Sequence, residues 1–132
     1  GSYSAKMSIP YSVAVGLIYG KAGLQEFSEK TVQNKAVLEL TKKIQVTADD
    51  KLSAVFPSVQ SAIVTIKANN IEYSERVDFP KGEPENPLTD CEFRDRYNGL
   101  MEYAGISSEK IASIFDSVYQ QEAKVEDIIV NL

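Results

Sequence analysis

Apolar positions recur at helical spacing early in the chain, alternate as in a strand near the middle, and return to helical spacing toward the end. Val13, Ala14, Leu17 and Ile18 follow the 3.6-residue period, with Val15 widening the stripe. Ser8 stands where a hydroxyl accepts hydrogen bonds from a first helical turn, and Pro10 is tolerated there because it has no N–H to satisfy. Gly20 and Gly23 end this segment. Leu24 to Val32 predicts a second, short helix, with Phe27 and Thr31 one turn apart. Asn34 caps a third, in which Val37, Leu38 and Leu40 face inward ahead of Lys42 and Lys43 at the C-terminal end. The period then changes. Ile44-Gln45-Val46-Thr47 alternates as a strand does and ends at Ala48-Asp49-Asp50, while residues 51–60 read as a loop or short turn around Pro57.

The stretch from Ala62 to Phe79 carries the clearest strand pattern. Val64 and Ile66 alternate with Thr65 and Lys67, and Tyr73, Val77 and Phe79 share a face on the return. Asn69-Asn70 lies between them, and asparagine tolerates the positive φ of a two-residue hairpin turn. That turn predicts Lys67 opposite Glu72 and Ile66 opposite Tyr73. Pro80 to Pro87 is a stiff connector, followed by Thr89 and Glu92 as a capping box. Phe93, Tyr97, Leu100, Met101 and Ala104 form the stripe of the next helix, and Gly105 breaks it. Ser107 caps again before Ile111, Ile114, Phe115, Val118 and Tyr119. Val125 to Leu132 predicts a short final helix. The order gives an α+β fold: a small antiparallel sheet with a β-hairpin, covered by helices, with helices at both ends of the chain.

Composition narrows the chemistry. The chain has 132 residues, enough for one core, with 43% hydrophobic and 25% charged residues. There is no histidine, one cysteine and no tryptophan. That excludes Ser-His-Asp and Cys-His nucleophilic pairs and His/Cys zinc sites within this chain. A net charge of −5 without a dense basic block argues against nucleic acid and anionic membrane surfaces. No apolar run approaches the ~18–20 residues that span a bilayer, and no secretory leader pattern is present. With a single Cys91, these features predict a cytoplasmic protein.

Three passages together resemble the MmgE/PrpD family, and the likeness covers nearly the whole chain. They are AKMSIPYSVAVGLIYGKAGLQEF at 5–27, VDFPKGEPENPLTDCEFRDRY at 77–97, and the layout between them, with VTIKANNIEYSERVDFPKG running from hairpin into loop. The P-K-G-x-P-x-N-P-L-[ST] core is the most specific of the three. The family includes 2-methylcitrate dehydratase, iminodisuccinate epimerase and cis-aconitate decarboxylase. The resemblance implies a large helical domain and a smaller α+β lid, with the active site between them. Residues 1–132 would be the C-terminal lid domain, with 107–132 returning to the N-terminal helical domain, where the family's catalytic histidines mostly lie. It implies no cofactor and no metal.

By the same resemblance Tyr11 matches the tyrosine of an S-x-x-Y motif and is the expected catalytic residue. A phenol can bond a carboxylate or exchange a proton, although packing at a helix start would equally account for it. Ser8, Lys6 and Lys81 are the expected substrate-binding residues: a helix N-terminus with a cap, a nearby cation, and a lysine in the signature loop. Capping alone explains Ser8, an exposed lysine commonly does nothing specific, and Pro80, Gly82, Pro84 and Pro87 explain the loop structurally. Cys91 lies near Glu83, Glu85 and Glu92 and is expected to be inert. The expected function is one wall of the cleft of a cofactor-independent lyase or isomerase acting on small di- or tricarboxylic acids, inactive without the helical domain. The alternative is a non-catalytic binding or assembly module that pairs as a homodimer.

Overall fold

A computed structural model describes residues 1–119. Its elements run α1 (Ser2–Lys6), α2 (Ile9–Tyr19), 3-10 turns at Gln25–Phe27 and Thr31–Gln33, α3 (Lys35–Thr41), α4 (Asp50–Val55), β1 (Ala62–Ala68), β2 (Ile71–Val77), α5 (Asp90–Tyr103) and α6 (Ser108–Tyr119). The fold is α+β, with an antiparallel hairpin and helices at both ends of the described residues. Two compact units divide the chain at Asn86/Pro87. The predicted helix at Val125 to Leu132 lies outside the described residues.

In the first unit, α2 begins as its sequence dictates. Ser8 is its N-cap, and the hydroxyl accepts the Tyr11 N–H at 3.3 Å. Gly20 closes it at φ 70, a left-handed conformation that other L-residues adopt only at a cost. Tyr11, Ala14 and Val15 are the buried positions, while Leu17 and Ile18 remain 46% and 40% exposed. The helix is apolar nearly all round, so periodicity alone could not select its inward face. A short helix not anticipated from sequence, α1, precedes it and contributes buried Ala5. Asn34 caps α3 by accepting from Ala36 and Val37. Val37 is fully buried in a core with Ala5, Tyr11, Ala14 and Val15, against which Phe27, Val32, Leu40 and Ile44 pack. Leu38, expected inward, is 41% exposed.

Two segments differ from expectation. Leu24 to Val32 forms two 3-10 turns, because Ser28 turns extended (φ −67, ψ 155) between them. Residues 44–49 form no strand; Ile44 packs against the helical core instead of joining a ladder. Asp49 then caps α4 through the Lys51 and Leu52 N–H groups, where a loop was expected.

The hairpin register is the predicted one: Ile66 faces Tyr73 and Lys67 faces Glu72, with Lys67 Nζ 3.1 Å from the Glu72 carboxylate. Asn69 and Asn70 supply the positive φ values, 52 and 62. Thr65 and Ser74 hydroxyls meet at 2.9 Å across the strands. Both faces of the hairpin are exposed, and only Ile66 is half-buried.

In the second unit, Thr89 and Glu92 form the expected capping box of α5. Gly105 ends that helix: its N–H bonds to Glu102 O and the Ile106 N–H to Met101 O, at 2.9 and 3.1 Å. Ile111, Ile114 and Phe115 of α6 are buried. Phe115 meets the edge of Tyr97 at 5.0 Å between centroids and lies 4.1 Å from the Arg94 guanidinium. Val118 stays 53% exposed, as does much of the expected α5 stripe, including Phe93 and Leu100.

Candidate functional site

Lys6, Ser8 and Tyr11 come together at the junction of α1 and α2, while Lys81 stands on the loop after β2. The junction is a tight one. The Ser8 N–H bonds to Ala5 O at 3.1 Å, closing α1, and Ser8 O accepts the Ser12 N–H at 3.0 Å, opening α2. Lys6 is exposed in the last turn of α1, and Ser8 is half-buried with its hydroxyl used by the Tyr11 N–H.

Tyr11 points into the core. Its hydroxyl donates to the backbone carbonyl of Glu26 at 2.7 Å, and its ring lies 5.4 Å from Phe27. Burial raises its pKa above the ordinary phenol value, with Tyr19 and Glu26 adding to the rise. At neutral pH it is therefore an uncharged hydrogen-bond donor, and its proton is committed to a peptide carbonyl.

Glu26 escaped the sequence reading. Its residue is only 6% exposed, and its carboxylate accepts the Gly23 N–H at 2.9 Å and lies 3.8 Å from Lys21 Nζ. A glutamate three residues after Gly23 reaches back as in half of a capping box, which is the one local signal that could have found it. Its backbone carbonyl takes the hydroxyl of Tyr11, fifteen residues away, a contact that no local pattern contains.

The signature loop is fixed by its own backbone. Gly82 donates to Asn86 O at 2.8 Å, Asn86 donates back to Glu83 O at 2.9 Å, and the Asn86 amide donates to Phe79 O at 2.9 Å. Gly82 holds φ 104, which a side chain would strain. Lys81 is exposed beside it. Two surface hollows lie in this unit. One, of about 340 Å³, includes Thr47, Asp49, Leu52 and Phe56; the other, of about 240 Å³, includes Pro57, Phe79, Glu83 and Glu85. Neither is lined by a lysine or arginine, and both carry carboxylates, so neither suits an anionic ligand. Among the described residues no cluster of His, Cys, Asp or Glu could hold a metal, and no helix is long and apolar enough to cross a membrane. Cys91 is exposed, with Asp95 at 3.9 Å.

The described residues form an α+β fold with a capped helix junction and a Pro/Gly loop held by its own backbone bonds. The chain matches the model of the MmgE/PrpD C-terminal domain over residues 2–125, and so belongs to the MmgE/PrpD family through that domain. Neither the curated proteins nor the solved structures yield a match.

Proposed function

We propose that this chain is the C-terminal lid of a cofactor-independent lyase or isomerase of small di- or tricarboxylic acids, 2-methylcitrate dehydratase-like in chemistry. The observation that carries this reading is the family match over residues 2–125. In it, the domain supplies one wall of a cleft, and a helical domain of the same protein supplies the other wall and the acid/base groups. The start of α2 offers substrate carboxylates the positive end of a helix dipole, with Lys6 one turn away and Lys81 as a second cation. Tyr11 belongs to this wall chiefly by holding the α2 N-terminus against the Gln25–Phe27 turn. A proton-transfer role at Tyr11 requires its bond to Glu26 to be exchanged for one to substrate. Residues 107–132 are the proposed return to the helical domain, and the compartment is the cytoplasm.

The test is an NMR titration of the labelled chain with 2-methylcitrate, cis-aconitate and iminodisuccinate at about 1 mM or above, since half a site binds weakly. Saturable shifts clustered at residues 6–14 and 80–83, lost in Lys6→Ala, are expected. A folded chain without clustered shifts overturns the wall role. Turnover is then assayed after rejoining the helical domain.

A further inference from the structure

The hairpin leaves β2 with an open outer edge among the described strands. Ala68 and Ile71 flank the two-residue turn, the position at which a pair exchanges both backbone hydrogen bonds. The alternation that follows points the backbone groups of Ile71, Tyr73, Glu75 and Val77 toward β1, and those of Glu72, Ser74 and Arg76 outward.

Reversed about Ser74, the strand Ile71-Glu72-Tyr73-Ser74-Glu75-Arg76-Val77 is complementary to itself. Antiparallel pairing of two copies sets Glu72 against Arg76, Ser74 against Ser74, Tyr73 against Glu75 and Ile71 against Val77. The pairs at which backbone bonds can form are those whose groups point outward. Opposite charges meet twice, once on each side of the two-fold axis. Lys67 already pairs with Glu72 within the hairpin, and Arg76 with Asp78 at 2.7 Å, so charges of alternating sign would run across the joined sheet. Glu75, a charge on the otherwise apolar face of Val64, Ile66, Tyr73 and Val77, would face a phenol. The β1 edge has no such match: reversed about Thr65, it sets Lys67 against Ile63.

From this charge and hydrogen-bond complementarity we infer that the outer edge of β2 is a homotypic docking surface, on which a second copy of this chain adds its own β2 antiparallel with Ser74 at the two-fold axis. The product is a four-stranded sheet, which answers the marginal stability of an isolated two-stranded one. This inference does not depend on the carboxylate reading, because its readout is mass alone.

The experiment is sedimentation equilibrium of the whole chain up to about 100 µM, with far-UV circular dichroism confirming that each variant is folded. The wild type is expected to dimerise. Glu72→Arg and Arg76→Glu each place like charges at the two-fold-related pairs and should weaken association about tenfold or more. The double reversal restores opposite charges and should recover it. The double variant carries the same charge reversal opposite Lys67 as the single Glu72→Arg variant does, so recovery isolates the contact between copies from damage within the hairpin. Ser74→Pro removes an N–H that points away from β1 and should give a folded monomer. A monomeric wild type, a dimeric Ser74→Pro chain, or a double reversal no better than the single ones overturns the inference.

Discussion

The Tyr11 hydroxyl donates to the Glu26 carbonyl at 2.7 Å, fastening the start of α2 to the turn that follows its end. Fifteen residues of chain are closed by that one bond, and the Tyr11 ring packs on Phe27 immediately beyond it. The Glu26 side chain meanwhile ties the same turn to Gly23. The two residues therefore set where the helix N-terminus stands, which is the feature the proposed anion-facing wall depends on.

Replacing Tyr11 by Phe keeps the ring and removes the donor, leaving a buried carbonyl unsatisfied. The expected loss of stability is about 1–3 kcal/mol. Urea unfolding measures it. A loss of carboxylate-induced NMR shifts in a Tyr11→Phe chain that retains wild-type stability would instead assign the hydroxyl to substrate.

Alkaline unfolding gives a second check. Burial raises the pKa of both Tyr11 and Tyr97 above the ordinary value of 10.0. A group whose folded pKa is raised contributes stability that is fully present below its unfolded pKa and is lost as pH climbs through the folded one. Stability should therefore fall as pH rises past about 10, and Tyr11→Phe and Tyr97→Phe should each flatten that fall. Urea midpoints measured between neutral pH and the alkaline limit provide the comparison.

Features legible in the sequence were those whose cause is local. Asn69-Asn70 and the flanking alternation determine a hairpin within a few residues, and Thr89 with Glu92 completes a capping box within one turn. Ile44 to Thr47 alternates equally well, but a strand needs an edge to join, and alternation does not say whether one is in reach. Ile44 found an apolar core instead. Likewise α4 was hidden because none of its residues is buried; its one signal is the Asp49 cap, which the nearby Pro57 masks. For the site, the sequence located the Ser8 cap and the α2 start. It missed Glu26, since glutamate usually marks a solvated face and only tertiary packing buries this one.

Thr89→Ala should remove the hydroxyl half of the capping box, because the Glu92 N–H loses its acceptor and the Glu92 carboxylate loses the Thr89 hydroxyl at 2.8 Å, while that carboxylate keeps the backbone N–H of residue 89. A cost of about 1 kcal/mol is expected, concentrated at the first turn of α5. Faster amide exchange at residues 91–93 than in the wild type would register it, with exchange in the hairpin unchanged.

Asp78 supplies an acid-side test. The Ser61 hydroxyl, and after it the Arg76 guanidinium, hold its carboxyl below the usual value of 3.8. A depressed pKa contributes stability present above the unfolded value and lost as pH falls through the folded one. The open end of the hairpin should therefore fray only below about pH 4. Carboxyl chemical shifts should show Asp78 titrating below exposed aspartates, and Ser61→Ala should move it back toward them.

Two valines separate burial from pattern. Val37 and Val64 both occupy apolar positions in well-formed elements, but Val37 is fully buried and Val64 is 38% exposed on the hairpin. Val37→Ala removes buried carbon and leaves a void among Ala14, Val15 and Tyr11, so about 2 kcal/mol should be lost. Val64→Ala, measured on dilute monomer, should cost less, about 1 kcal/mol or below, because 38% of that residue is in solvent already. Unfolding both variants in urea decides the matter. Equal losses would mean that the hairpin face is covered in solution even when the chain is dilute.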